Sequence, residues 1–295
     1  KLWPLSFFIK CRLKKHYDVI ISYLEGSAAF WHNIIIDRGK RNISWIHVDM
    51  LKYHSSHNAY RNHEEDEKRC YQKMDQLVFV SQIAMENFSK LYDIDVPKCC
   101  LYNVISKSDI YKKASVGGII TKSVFTITAI GSLLEVKGFD RLIRVAEMLK
   151  KDGISFCIQI IGRGEKEAEL KRLVHELNVE NEVHFLGFQA NPYPYLKESD
   201  IFISTSISEG FSLVICEALV LGIPIVATNT AGALELPEGG EYGVITEQND
   251  LSIYVALKKY ITDETLRTEY HKKSLLRANI FEVQSVMSRF YEVIQ

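Results

Sequence analysis

Apolar runs of four to six residues alternate along the chain with stretches whose apolar positions recur every three or four residues. The runs at 18–22, 44–48 and 76–80 are rich in β-branched and aromatic residues and predict buried strands. Runs at 124–130, 156–161, 183–186, 200–203 and 224–227 predict five more. Between them, Phe139, Leu142, Ile143, Ala146 and Leu149 fall on one face of a helix, and Leu170, Leu173, Val174 and Leu177 repeat the pattern. Continuously apolar strands that alternate with amphipathic helices predict βα units and parallel sheets covered on both faces, an α/β fold. The polar segment 106–123, with Gly117-Gly118 inside it, is the expected linker. Patterns at 263–279 and 281–295 predict two final helices with no strand after them.

A length of 295 residues suggests about two domains. With 47% hydrophobic and 25% charged residues, disordered and fibrous architectures are excluded. No apolar run approaches the roughly eighteen residues of a membrane span and no signal peptide is visible, so a cytoplasmic location is expected. The six cysteines form no CxxC pair and read as reduced thiols. A net charge of −1 gives no general reason to bind nucleic acid. The charge is unevenly shared, however. Residues 1–108 hold 16 Lys+Arg against 12 Asp+Glu, and the remainder holds 20 against 25. Two units with different surfaces are expected: 1–108, 109–280, and a C-terminal helix 281–295 packing back on the first. Residues 1–16 carry five basic residues and no acid among aromatic and aliphatic ones. That pattern suits peripheral contact with an anionic membrane face or an ordinary solvated helix.

Candidate chemistry lies at predicted strand ends, where parallel sheets place their ligands. The strand ending at Ile130 is followed by Gly131-Ser132-Leu133-Leu134-Glu135-Val136-Lys137-Gly138 and then a helix. Glycine permits close approach of backbone to ligand, and a helix start with a lysine suits an anion. The spacing is not that of a P-loop, and Gly162-Arg163-Gly164 lacks the third glycine of a dinucleotide fingerprint. Asp93-Ile94-Asp95 reads as a helix-exit turn and not as a metal site. Sharper is the run after residue 204, where Glu209-Gly210-Phe211-Ser212-Leu213 leads into an apolar helix bearing Glu217. Eight residues of continuous helix would separate the two carboxylates by about 12 Å. Carboxylates flanking one glycosidic bond lie roughly 5 to 9.5 Å apart. The pair therefore suits the two ends of an extended ligand, with a helix N-terminus between them for a diphosphate. Glu217, among Val214, Ile215, Cys216, Ala218 and Leu219, is an acid on an apolar helix that needs a partner.

The stretch from Glu209 to Glu217 resembles the E-x7-E signature of glycosyltransferase family 4, retaining nucleotide-sugar enzymes of GT-B fold. Lys137-Gly138-Phe139-Asp140 resembles the family's phosphate loop. Leu186-Gly187-Phe188, Ala227-Thr228-Asn229 through Gly232, and Trp45-Ile46-His47 match further landmarks, as do Ser81 and Asn103. The resemblance implies two Rossmann-like domains facing across a cleft. It implies Glu217 on the ribose hydroxyls, Glu209 on the donor sugar, and Lys137 with the amides near Ser212 and Leu213 on the diphosphate. Gly131, Ser132, Arg163, Phe188, Gly210 and Phe211 complete the implied donor site, and His47 would face the sugar from the first domain. Glu209 and His47 are the candidate catalytic residues.

Two departures follow. Where the family reads Gly-Arg-Leu, this chain has Gly131-Ser132-Leu133, so a bidentate contact to the diphosphate is missing; either Lys137 and the helix dipole suffice, or another base such as Arg163 substitutes, or activity is lost. The family's opening strand and glycine-rich loop have no match, and the chain starts on Lys1, so an incomplete first domain and an upstream start are expected. The expected activity is transfer of a hexose or N-acetylhexosamine from a nucleotide sugar, UDP-sugar favoured, to a glycan or lipid-linked acceptor in cell-surface polysaccharide assembly. No metal and no cofactor are expected. A catalytically silent nucleotide-sugar-binding subunit and a GT-B epimerase or phosphorylase are the alternatives.

Overall fold

A computed structural model describes residue 9 and residues 12–51, 64–116, 124–281 and 283–295. Most of the basic segment 1–16 and the Gly117-Gly118 part of the expected linker lie outside the described residues. The chain divides into two compact units, one from 1–104 with 283–295 and the other from 105–282.

In the first unit, β1 (Tyr17–Ser22), α1 (Ser27–Ile34), β2 (Gly39–Ile46), α2 (Glu64–Tyr71), β3 (Gln76–Phe79), α3 (Gln82–Leu91) and β4 (Lys98–Cys100) follow one another. Among the described residues its sheet has four parallel strands in the order β1-β2-β3-β4. The strand expected at 44–48 runs instead from Gly39 to Ile46. Its first half is polar because Lys40 pairs with Asp18 on the exposed edge, at 2.6 Å, and Asn42 turns inward to a buried histidine. It stops at Ile46 because the His47 N–H donates to the Glu25 carboxylate, at 3.0 Å, and not to a neighbouring strand. The terminal helix Val283–Ile294 belongs to this unit; its Phe290 ring lies 5.8 Å from Trp45, and Arg289 donates to the Cys100 carbonyl.

The inward turn of Asn42 completes a buried polar chain. His32 is 3% exposed; its Nδ1 lies 3.1 Å from the Ser22 hydroxyl and its Nε2 lies 3.0 Å from Asn42 Oδ1, while Ser22 reaches Ser44 at 3.0 Å. Burial holds the His32 pKa below its ordinary value despite Asn42 and Asp75. The unfolded chain then takes up the proton first, near pH 6.5. Stability is therefore full above about pH 6.5 and declines as pH falls from there towards the lower folded value. Chemical denaturation between pH 7.5 and 5 should show that slope for the wild type and a flatter one for His32→Asn. Equal slopes would remove His32 as the cause.

The second unit opens with α4 (Lys107–Ala114) inside the expected linker. Ser106 caps it by accepting from the Asp109 N–H, Ile110 and Ala114 are buried, and Tyr111 donates to the Val220 carbonyl at 2.7 Å. Only two apolar residues face inward, which left the helix without a readable stripe. There follow β5 (Phe125–Ile130), α5 (Phe139–Lys151), β6 (Phe156–Ile161), α6 (Glu167–Glu176), β7 (Val183–Gly187), α7 (Tyr193–Lys197), β8 (Ile201–Ser204), α8 (Leu213–Val220), β9 (Ile225–Thr228), α9 (Ala231–Glu235), β10 (Val244–Thr246), α10 (Asp250–Thr262) and α11 (Glu264–Arg277). The expected stripe Phe139, Leu142, Ile143, Ala146 and Leu149 is buried against Ile127, Ile158 and Leu257. Each such fully buried large side chain contributes about 1.5–3 kcal/mol.

Among the described residues this sheet has six parallel strands in the order β10-β9-β8-β5-β6-β7. From β5 the chain moves outward through β6 and β7, then returns to lay β8 on the other side of β5. The order reverses between β5 and β8, and parallel sheets bind ligands at the carboxyl ends of strands beside such a reversal.

Candidate donor site

The loops leaving β5 and β8 are fastened together at that reversal. After β5, a short 3-10 turn over Glu135–Lys137 ends at Gly138, whose φ of 61° is left-handed. A Cβ there would collide with the carbonyl oxygen of Thr205, so glycine lets the β5 loop press on the end of β8. Thr205 donates its hydroxyl to the Lys137 carbonyl at 2.9 Å, and the Ile207 N–H donates to Val136 at 2.8 Å. This fastening brings Lys137 to Glu209: Nζ lies 2.5 Å from Oε2, and the Ser206 hydroxyl donates to the same oxygen at 3.2 Å. Both charged side chains are largely buried, 24% and 17% exposed. The sequence placed these residues in separate roles, and the structure brings them into one ion pair.

Ser212 caps α8 by accepting from the Ile215 N–H, so the helix begins at Leu213 and its first amides open beside this pair's loop. Helix does not extend back to Glu209, which sits on the preceding loop. Gly232 holds that loop from behind. Its N–H donates to the Glu209 carbonyl at 3.0 Å, and its Cα packs so closely on Phe211 and Ser212 that a Cβ would lie 3.1 Å from the Phe211 Cα. Gly210 and Phe211 are buried in the same turn.

On the other side of β5, the loop after β6 packs beneath Gly131. Gly162 has φ of 151°, and a Cβ on it would strike the Gly131 carbonyl. Leu133 donates its N–H to the Arg163 carbonyl at 3.0 Å. A cleft of about 390 Å³ opens here, lined by Gly131, Ser132, Arg163, Phe188, Gln189 and Pro192 among others. The Arg163 guanidinium lies over the Phe188 ring, 5.0 Å from its centroid, and Phe188 is 62% exposed. Arg163 is thus engaged with the aromatic wall of the cleft. Ser132 is exposed at the cleft's edge.

Glu217 lies one turn into α8, half-buried, and Tyr193 of α7 donates its hydroxyl to Oε1 at 3.0 Å. Burial raises the Glu217 pKa, while the Tyr193 hydrogen bond and the charge of Lys113 oppose that rise. The sequence reading missed Tyr193 and Gln189. A Tyr in Pro192-Tyr193-Pro194 has no period or charge to mark it, and only the packing of α7 on α4, which itself lies against α8, brings its hydroxyl to a carboxylate. A third cation also escaped notice. Arg141 of α5 carries a buried Nη1 with no hydrogen-bond partner among the described residues, close to Gly138.

In the first unit, His47 follows β2. Its ring lies tilted against Tyr23 with centroids 4.8 Å apart, and its buried Nε2 has no hydrogen-bond partner among the described residues. Burial holds its pKa below the ordinary histidine value, against the pull of Glu25. Ser81 is buried and caps α3 by accepting from the Ala84 N–H; Asn103 lies between β4 and α4. Asp93 and Asp95 leave α3 in irregular backbone. Among the described residues, no cluster of three or more His, Cys, Asp or Glu is arranged to hold a metal ion, and no helix is long and apolar enough to cross a membrane.

At the strand-order reversal of this unit a lysine loop, a capped helix and two carboxylates lie on neighbouring loops and helix starts. The chain belongs to the glycosyl transferases group 1 family, whose pattern matches residues 117–276. It is 35% identical over 215 residues to the N-acetylgalactosamine-N,N'-diacetylbacillosaminyl-diphospho-undecaprenol 4-alpha-N-acetylgalactosaminyltransferase of Campylobacter jejuni, a match covering 72% of this chain and 58% of that protein. The chain thus spans about half the length of the curated relatives it matches. Its fold is similar to Anabaena HepE, crystallised with UDP and glucose, at a TM-score of 0.78 and 21% identity over 99% of this chain and 81% of that one. Staphylococcus aureus TarM, crystallised with UDP among its ligands, gives 0.77 and 18% over 98% and 58%. The architecture is that of GT-B glycosyltransferases, with two Rossmann-like units.

Proposed function

We propose that the chain acts as a retaining glycosyltransferase, moving a hexose or N-acetylhexosamine from a UDP-sugar to a glycan or lipid-linked acceptor in bacterial cell-surface polysaccharide assembly. The observation that carries this reading is the Lys137–Glu209 pair, held at the strand-order reversal beside the N-terminus of α8. Breaking a sugar–diphosphate bond builds negative charge on the leaving phosphate and positive charge on the anomeric carbon. Lys137 and the first amides of α8 suit the former, and the Glu209 carboxylate suits the latter. His47 is assigned to turnover, Glu217 to the ribose, and the cleft of Gly131, Ser132, Arg163 and Phe188 to the remainder of the nucleotide. UDP in the HepE and TarM crystals and the undecaprenol-linked acceptor in the Campylobacter relative's name favour the donor and acceptor classes. Charge neutralisation by Lys137 and the helix makes the reaction metal-independent in this reading, and a peripheral position on the cytoplasmic membrane face fits such an acceptor.

The test is turnover: UDP-glucose, UDP-N-acetylglucosamine and UDP-N-acetylgalactosamine offered with an undecaprenyl-diphosphate oligosaccharide, with UDP release and product anomer measured. Acceptor-dependent release with retained anomeric configuration, unchanged by EDTA, is expected. The exposed Ser132 favours a second reading, a silent nucleotide-sugar-binding subunit; UDP binding without turnover on any acceptor would select it. Glu217→Ala should weaken UDP affinity by about 1.5–3 kcal/mol, the range for hydrogen bonds to a charged group. Calorimetry showing wild-type affinity in a folded variant would sink the ribose assignment.

A further inference from the structure

The carboxylate of Glu217 has one oxygen engaged and one open. Tyr193 donates to Oε1 at 3.0 Å, while no described protein group donates to Oε2. A vicinal diol needs acceptor oxygens presented at a fixed angle, and an unrestrained glutamate on a helix surface samples several rotamers. Tyr193 is itself firmly seated. Prolines flank it on both sides, the Asn191 side-chain oxygen accepts from its N–H at 3.4 Å, and the Asn191 amide donates to the Lys113 carbonyl at 2.9 Å. The Lys113 ammonium lies over its ring, 5.9 Å from the centroid. The segment that carries Tyr193 also carries Phe188 and Gln189 of the nucleotide cleft, five and four residues earlier.

We propose that Tyr193 is a positioning residue for ribose recognition: its hydroxyl orients the Glu217 carboxylate so that the open oxygen accepts from the vicinal hydroxyls of a bound ribonucleotide. This rests on the donor-site reading above. The ionised carboxylate is the form required, since protonation would remove an acceptor. Burial raises the Glu217 pKa above its ordinary value, and the Tyr193 hydrogen bond and the charge of Lys113 limit that rise. The phenol stays a donor throughout, because burial and Glu217 push its own pKa up to about 12. The other titratable groups facing this assembly are Asp109 of α4, opposite Tyr193, and Cys216 of α8, which Arg277 of α11 also faces.

The experiment is calorimetry on the full chain with UDP, GDP, ADP and 2′-deoxyuridine diphosphate from pH 5.5 to 8. In Tyr193→Phe, the UDP Kd at pH 7.5 should rise about five- to tenfold, the factor of one hydrogen bond. The preference for UDP over its 2′-deoxy analogue should shrink, and the loss of UDP binding at low pH should move to higher pH. Lys113→Met keeps the stem over the ring and removes the charge; it should move that acid limb upward while keeping the preference for UDP. The proposal is overturned if neither variant moves the acid limb, or if Tyr193→Phe weakens UDP and its deoxy analogue equally at every pH. Wild-type chain that binds UDP and the deoxy analogue equally overturns the ribose role and leaves the nucleotide site standing. Wild-type chain that binds none of the three ribonucleotides overturns the donor-site reading itself, and this proposal with it.

Discussion

Lys137→Ala should lower kcat/KM for transfer by about a thousandfold, on the order of 4 kcal/mol of transition-state stabilisation. Two losses combine. The leaving diphosphate loses its lysine, and Glu209, 17% exposed and held by Lys137 and Ser206, keeps a negative charge in the same loop cluster without its cation. An unpaired, largely buried carboxylate beside an anionic ligand opposes binding as well as chemistry. Lys137→Arg should recover part of the activity, because the charge returns without the compact ammonium geometry. Adding the absent cation tests the same site from the other direction. Ser132→Arg should tighten UDP about tenfold through a charge-assisted contact. Arg163→Ala should cost less than the lysine change, because its guanidinium lies over Phe188 in the cleft. If Lys137→Ala, Ser132→Arg and Arg163→Ala all match wild type in donor affinity and turnover, the phosphate site lies elsewhere.

His47→Ala should lower turnover by one to three orders of magnitude, about 1.4 to 4 kcal/mol, and leave UDP affinity nearly unchanged. The structure sharpens this expectation. The contact that fixes the backbone, from the His47 N–H to Glu25, survives the substitution, and among the described residues Nε2 has no hydrogen-bond partner to lose. What disappears is the tilted ring contact with Tyr23 and an imidazole whose pKa burial lowers. A histidine serving only as packing would lower the melting temperature, with activity falling only as the folded fraction falls. Melting temperature, UDP affinity and turnover measured on one variant separate the two. Full activity per folded molecule would falsify the assignment of His47 to turnover.

How much of this was legible beforehand depends on whether a feature has a period. The run 156–161 became β6 at the same residues, and the stripe from Phe139 to Leu149 is buried along one face of α5, because one apolar residue per two or per three to four positions is a local signal. The three-residue strands β4 and β10 were too short to show one, and the polar half of β2 concealed another. The helix α4 buries only Ile110 and Ala114 and so read as linker.

The amino-acid order alone determined the βα alternation, the glycine–lysine loop after β5, the capped helix after β8, and the spacing of Glu209 and Glu217. Each of these is decided by neighbours within a turn or two of chain. Tertiary structure alone decided that Lys137 meets Glu209, 72 residues away, that Tyr193 holds Glu217, and that Arg163 covers Phe188. It also decided that Asn42 closes on His32 in the core of the first unit. Those contacts join side chains on separate elements that come together only when β8 returns to the far side of β5, when β7 lies beside β6, or when β2 lies beside β1. A polar contact between distant segments leaves no periodic trace in either one, so its partners are set by where the sheet puts the strand ends.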